Sequence, residues 1–366
     1  MYQYKHHKTS FVITTSDIAD NALRLKVNYA ITNTFQSFIK DNSDNVQLEF
    51  LITDSIDKFL IETDFVRVKD IRIGSAQTYF RDNELAFLVN HSAPFRVIVN
   101  VINNETFKSS LRIFNKGFKN AIEAQISTFY YRVFLLFSQL WNIQNNLSYL
   151  HSSAVSLLEK SIIFTADSGV GKSSLLVKLS EVGGFSFVAD DLTVISSNSK
   201  AFHQGRSLSI KPYHFKQYPF LRKKITSLMK FGQRLQWLLL NDNRLTYRVS
   251  PSEFFEEIST SSDIKRVVHL CNHSAEDFII SDFALSDLVE CITPILINEL
   301  FLANHKLNTL ASLPNSPFIH TSILYRKVRD IYLKAFKNVE IKLVLVPYMS
   351  DSNDLYNFLK SEGCLN

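Results

Sequence analysis

The chain is predicted to be an α/β protein, α+β overall, with an α/β core, a smaller mostly β N-terminal domain and a mixed C-terminal extension. Three observations predict this. Its 366 residues suffice for two domains of roughly 100–200 residues each. The first hundred-odd residues hold short β-leaning stretches separated by Asp/Asn/Ser clusters. From His151 onward the pattern becomes strand, glycine-containing loop, helix and strand, the outline of an α/β ligand-binding unit.

The N-terminal strands are expected at Phe11–Thr15, Val46–Thr53, Phe65–Ile73, Glu84–Val89 and Phe95–Ile102, with one helix near Asp20–Ile39. Clusters such as Asp41–Asn45 and Asn103–Asn104 supply turns. Gly117–Leu147 places Ile122, Ile126, Phe129, Tyr130, Phe134 and Phe137 at helical spacing, with no Gly or Pro after its first residue. A long connecting helix follows from that spacing. Next come strands at Ala154–Leu158 and Ser161–Thr165, a helix over Lys172–Glu181 stopped by Gly183–Gly184, and a strand over Phe185–Ala189. Helices are expected at Phe220–Leu240, Pro251–Ile258, Leu285–Asn304 and Tyr325–Phe336, and strands at Arg266–Leu270, Phe278–Ile280 and Glu340–Val346. The organisation is therefore 1–116, mostly β; 117–150, connecting helix; and 151–366, the α/β core with its extension.

Four of the nine glycines fall within Gly169–Gly184. Read against G-x-x-x-x-G-K-[ST], the stretch Ala166-Asp-Ser-Gly-Val-Gly-Lys-Ser173 is a phosphate loop (P-loop) with Ala in the first glycine position. Asp167, Ser168, Gly169, Val170, Gly171, Lys172, Ser173 and Ser174 would cradle a nucleotide. Glycine permits the backbone amides to converge on phosphate oxygens, and a helix starting at the loop's end aims its amides and dipole at them. Lys172 would add charge at the β/γ-phosphates, and the Ser173 hydroxyl would ligate Mg²⁺. The expected ligands are ATP or another nucleoside triphosphate, and Mg²⁺. The strand ending in Asp190–Asp191 sets two carboxylates where the C-terminal edge of a parallel sheet would face those phosphates. One can hold the metal and the other accept a proton from an attacking hydroxyl.

These residues resemble the HPr kinase/phosphorylase family and its relatives, including kinases that phosphorylate ribosomally made peptides. The blocks that carry the resemblance are His151-Ser-Ser-Ala-Val155, Ala166-Asp-Ser-Gly-Val-Gly-Lys-Ser173 and Val188-Ala-Asp-Asp191, in order and with compatible spacing, within residues 151–212. The resemblance implies an HPr-kinase-like core in which Asp191 deprotonates the acceptor hydroxyl, His151 assists it and Lys172 stabilises the transferring phosphoryl group. Such enzymes often form oligomers. The family's Glu-x-Arg-Gly-x-Gly stretch has as its counterpart His203-Gln-Gly-Arg-Ser-Leu-Ser-Ile-Lys211, which holds no carboxylate. Metal binding would then rest on Ser173 and Asp190.

Arg206 and Lys211 follow the Asp pair at a spacing that could bring them to the phosphates or to an anionic acceptor. The acceptor is expected to be a hydroxyl of a peptide, a small protein or a small molecule. Two alternatives are a nucleotide-gated binding protein that transfers little or no phosphate, and a nucleic-acid-stimulated ATPase using Lys211–Arg234. A net charge of +5 suits an anionic ligand but not the concentrated positive field of a nucleic-acid binder. Leu221, Ile225, Leu228, Phe231 and Leu235 read as an amphipathic helix with a solvated basic face. His269, Cys271 and His273 lack a fourth ligand nearby and read as structural. Three scattered cysteines, no signal-peptide pattern and no membrane-length apolar run describe a cytoplasmic protein.

Overall fold

The computed structural model describes residues 2–6, 9–40, 42, 46–57, 65–68, 85–88, 95–101, 121–167, 169–240, 245–300 and 320–366. Ser168 and the expected elements at 41, 43–45, 69–73, 84, 89, 102–104, 117–120 and 301–304 lie outside these residues. The chain forms two compact units that interleave in sequence. One takes Met1–Lys108, Lys119–Asn145 and Leu296–Val328; the other takes Ser109–Phe118, Asn146–Ile295 and Arg329–Asn366. Sequence order alone suggested 1–116, 117–150 and 151–366, whereas compactness follows contacts between residues far apart in the chain.

The first unit contains β1 (Tyr2–His6), β2 (Thr9–Thr14), β3 (Ile39–Lys40), β4 (Val46–Thr53), β5 (Phe65–Val68), β6 (Leu85–Leu88) and β7 (Phe95–Asn100). They form one mixed sheet in the order β3-β1-β2-β4-β7-β6-β5, with β2, β4 and β7 parallel. Between β2 and β4 runs α1 (Asn21–Thr34), started by Asp20, whose carboxylate accepts the Ala22 and Leu23 amides at 2.8 and 3.2 Å. The helix stops short of the expected Ile39 because Phe35 and Phe38 turn into the core.

The expected long helix is divided into α2 (Ala121–Thr128), a π-helical turn at Phe129–Phe134 and α3 (Leu135–Gln144). The wider turn brings residues five apart onto one face. Phe129 and Phe134 accordingly both meet Phe50, at ring centroid distances of 5.3 and 5.5 Å. Phe134 also lies 4.9 Å from Phe11 and 5.2 Å from Phe35. An aromatic cluster therefore fills the core of this unit.

The second unit is built on β8 (Leu147–Leu157), β9 (Lys160–Ala166), α4 (Lys172–Val182), β10 (Ser186–Ala189), β11 (Leu192–Ser196) and β12 (Lys200–Phe202). Further along are β13 (Leu208–Ile210), β14 (Tyr247–Val249), β15 (Ser261–His273), β16 (Ile279–Asp282) and β17 (Glu340–Pro347). β9 and β17 flank the central β15 in parallel, while β8 runs antiparallel to β9. The pairings β8–β11–β12–β15–β9–β8 close on themselves. A two-residue turn joins β8 to β9, with Leu158 and Glu159 at φ 50° and 61°, the left-handed values that such a hairpin needs.

Three expectations are corrected here. The strand expected at Ala154–Leu158 starts at Leu147, so His151 lies within a strand and not behind a helix. The helix expected at Phe220–Leu240 is two helices, α6 (Pro219–Leu228) and α7 (Phe231–Leu240), after a single turn α5 (His214–Gln217); Met229, at ψ 143°, separates them. The second helix turns Phe231, Leu235, Leu238 and Leu239 to solvent and buries Gln236, so its apolar row does not continue that of Leu221 and Ile225. Pro251–Ile258 contributes only a 3-10 turn at Pro251–Glu253, because Ile258 pairs with Phe187 in a bridge. The remaining helices among the described residues are α8 (Leu285–Leu300), α9 (Thr321–Ala335) and α10 (Ser352–Ser361). No helix among the described residues is long and apolar enough to cross a membrane.

Candidate active site

The loop between β9 and α4 has a conformation that its glycines permit. Gly169 and Gly171 adopt φ 95° and 103°. Gly171 caps α4 without a side-chain bond, and the first intrahelical bond runs from the Leu175 amide to the Gly171 carbonyl at 2.9 Å. The amides of Lys172, Ser173 and Ser174 precede that bond and lie at the positive end of the helix. Ala166 ends β9 in strand pairing with Leu270, an extended conformation in which a Cβ is tolerated. Lys172 is buried, and its ammonium donates to the carbonyls of Ala166 at 2.7 Å and Asp167 at 3.0 Å. The Asp167 side chain is exposed and Val170 is buried.

The acidic pair follows the expected strand directly, but that strand, β10, pairs antiparallel with β8 and not within a parallel ladder. β10 and β11 both pair antiparallel with β8, one after the other, and Asp190–Asp191 fills the gap between them. The carboxylates therefore lie midway along β8, at the C-terminal end of β10. The gap is nevertheless level with the end of β9, since the Ser152 amide donates to the Asp191 carbonyl at 3.2 Å on one side and Ser152 pairs with Thr165 on the other. A bulge between Phe187 and Ala189 shifts the register by one residue just before the gap. His203 holds that bulge from behind by donating its Nδ1 proton to the Val188 carbonyl at 2.7 Å. Asp191 itself takes φ 73°, a left-handed conformation that Asp tolerates better than most residues.

Asp190 is fully enclosed and triply bonded. One carboxylate oxygen accepts the Ser173 hydroxyl at 2.9 Å and the Ser153 hydroxyl at 3.3 Å; the other accepts the Ser209 amide at 3.0 Å. Burial, then the neighbouring charge of Asp191, raises its pKa against the opposing pull of these donors and Arg206. Asp191 is 35% exposed, with one oxygen 2.5 Å from Arg206 and the other 3.3 Å from His151 Nδ1. Its desolvation pushes the carboxyl up. The Arg206 guanidinium, followed by His151, Lys172 and Lys211, outweighs this and holds it below its usual value. Two adjacent carboxylates thus have pKa values driven apart by environment, one toward the protonated form and one toward the ionised.

These groups face a cleft of about 680 Å³ whose lining includes His151, Gly169–Ser174, Asp190 and Asp191. Lys211 lines it as well, whereas Arg206 stands behind Asp191, buried in the ion pair. Sequence reading missed Ser153, Ser209, Tyr213 and Arg248. Arg248 lines the cleft opposite Ser209 in the β13–β14 pair. One signal could have pointed to this segment: no Asp or Glu occurs between Asp191 and Asp242, so every charge there is positive. Gln204 and His203 are buried in that run, and His214 below it accepts the Lys211 amide at 3.0 Å. His269 bonds Thr165 Oγ1 at 2.9 Å, and burial lowers its pKa.

No protein-family model and no curated protein matches the chain. Among solved structures, the HPr(Ser) kinase/phosphatase from Coxiella burnetii shows 8% identity and a TM-score of 0.28, covering 59% of this chain and 96% of that one. At that identity and score the likeness adds nothing to what the residues of the cleft show.

Proposed function

We propose that this protein is an ATP-dependent kinase that transfers the γ-phosphoryl group to a hydroxyl of a peptide, small protein or small molecule. One observation carries this reading. Ser173 Oγ and the Asp190 carboxylate, 2.9 Å apart at the helix start, share a cleft with Asp191, whose carboxylate is kept ionised. Adjacent ligands of an octahedral ion bound at about 2.0–2.1 Å stand about 2.9 Å apart, so the pair fits Mg²⁺. Bound there, the ion would supply fixed positive charge toward the phosphates. The loop amides and Lys172 would hold the triphosphate. Asp191, steadied by Arg206 and flanked by His151, would orient the acceptor hydroxyl and take its proton. Low basicity is compatible with that role, because much of such catalysis is positioning.

The test is incubation with γ-labelled ATP, Mg²⁺ and hydroxyl acceptors, with label expected in a stable phosphoester. Lys172→Ala should weaken both nucleotide binding and transfer. Bound ATP that stays intact with every acceptor would sink the kinase reading. It would favour the nucleotide-gated binder, for which the close Arg206–Asp191 pair and the carboxylate-free stretch at Gln204 speak.

A further inference from the structure

The cleft continues past the phosphate loop onto a part of the fold that the reaction above does not use. β9, β15 and β17 are parallel, so Ala166, His273 and Pro347 end at one edge of the sheet. Ligands of parallel sheets lie across such carboxyl ends. Here Asn272, Val346, Pro347 and Tyr348 line the cleft, with Leu355 of α10 beside them. Tyr348 is 69% exposed and Met349 96%, an aromatic ring and a thioether chain presented to water at the rim. Two strand spacings of about 4.8 Å set this turn roughly 10 Å from the loop.

The turn is fixed, not loose. The Tyr348 amide donates to the His273 carbonyl at 3.3 Å, and Ser350 donates to the Pro347 carbonyl through both its amide (3.1 Å) and its hydroxyl (2.7 Å). The two sides of the loop differ in chemistry. Toward β8 lie Asp190, Asp191 and His151; toward β17 lie Val346, Pro347, Leu355 and the exposed Tyr348 ring, with Asn272, Ser350, Asp351 and Ser352 among them. A nucleoside triphosphate is equally two-ended, with a charged tail and a flat, uncharged base. We infer that the Tyr348–Met349 turn is the base platform of the nucleotide site, with the Tyr348 ring stacking on the base and Met349 packing at its edge. The inference rests on the nucleotide reading of the loop and adds where the base goes, leaving the β8 side for the acceptor. A backbone held in place presents the ring with little ordering cost on binding.

Titration calorimetry with Mg²⁺ and either ATP or inorganic tripolyphosphate separates the two ideas. The wild-type chain is expected to bind ATP about tenfold or more tightly than tripolyphosphate, the size of one base–aromatic stack. Tyr348→Ala combined with Met349→Ala should reduce ATP to the tripolyphosphate level and leave tripolyphosphate unchanged, while Tyr348→Phe keeps the preference. Equal wild-type affinity for both ligands, or an equal loss for both in the double variant, overturns the base platform and leaves the loop reading standing. Binding of neither ligand overturns the loop reading and this inference with it.

Discussion

The two units bury very different sheet faces. In the first, Phe11, Phe35 and Phe50 are fully buried and each packs ring to ring on the equally buried Phe134. In the second, β8, β9 and β11 bury Ser148, Ser152, Ser156, Ser161, Thr165 and Thr193 on one face, while Ser153 lies on the other beside Val155, Ile162 and Phe164. Five of those hydroxyls are bonded to other side chains: Ser152 to Thr193 at 2.7 Å, Ser161 to Ser262, Thr165 to His269 and Ser153 to Asp190. Apolar burial is non-directional and gives stability without fixing angles. A satisfied polar network holds each side chain in one direction, which an aimed carboxylate requires. The second unit therefore adds a hydroxyl network to an apolar core of its own, which includes Phe164, Leu175, Leu176 and Phe187.

Four measurements would break or sharpen that contrast. Asp191→Asn should lower phosphoryl transfer by roughly two to four orders of magnitude with ATP affinity nearly unchanged. Turnover at the wild-type rate would remove Asp191 from the chemistry. Phe134→Ala should cost roughly 3–5 kcal/mol of stability and leave ATP affinity intact in the folded protein. Each unit carries one of the two tryptophans, Trp141 and Trp237, so fluorescence of single-tryptophan variants in urea reads them separately. An equal loss of stability at both reporters would show that the units do not unfold independently.

His214 gives the third, a pH effect. Burial, then the charge of Lys211, lowers its pKa from 6.5 to about 4. The unfolded chain therefore binds the proton first as pH falls. The stabilisation is complete above pH 6.5 and is lost between 6.5 and 4, amounting to at most roughly 3 kcal/mol. Protonation also removes the Nδ1 acceptor of the Lys211 amide. Denaturation curves across that range should flatten in His214→Asn, which keeps an acceptor but does not titrate; an unchanged slope would assign the acid sensitivity elsewhere. Smallest is Arg206→Gln, which should move the acid limb of transfer to higher pH, because Asp191 must be ionised to act and loses its nearest opposite charge. An unshifted limb would mean that another group sets it.

Much of the α/β outline was legible because its signals are local. Gly169 and Gly171 mark positive φ, Lys172 opens a helix with Leu175, Leu176 and Leu179 buried, and β9 is centred on the apolar Ile162–Phe164. The N-terminal sheet could be read as strands but not as an order, since pairing β2 with β4 and β4 with β7 leaves no trace in either strand alone. The break at Met229 and the π-helical turn at Phe129–Phe134 were illegible for the same reason: the helical period runs through both, and only packing decides where it is interrupted.

Within the site, the sequence by itself determined the loop, the start of its helix and the presence of two adjacent carboxylates. Backbone conformation and residue type depend on near neighbours. Tertiary structure alone decided what each carboxylate became. Asp190 is enclosed by Ser153, Ser173 and Ser209, and Asp191 is turned left-handed toward Arg206 and His151. These partners come from four separate segments, β8, α4, the loop before β13 and β13 itself, and meet only in the folded unit. Burial and charge, which set the opposite pKa shifts of two neighbours in sequence, are properties of that assembled environment.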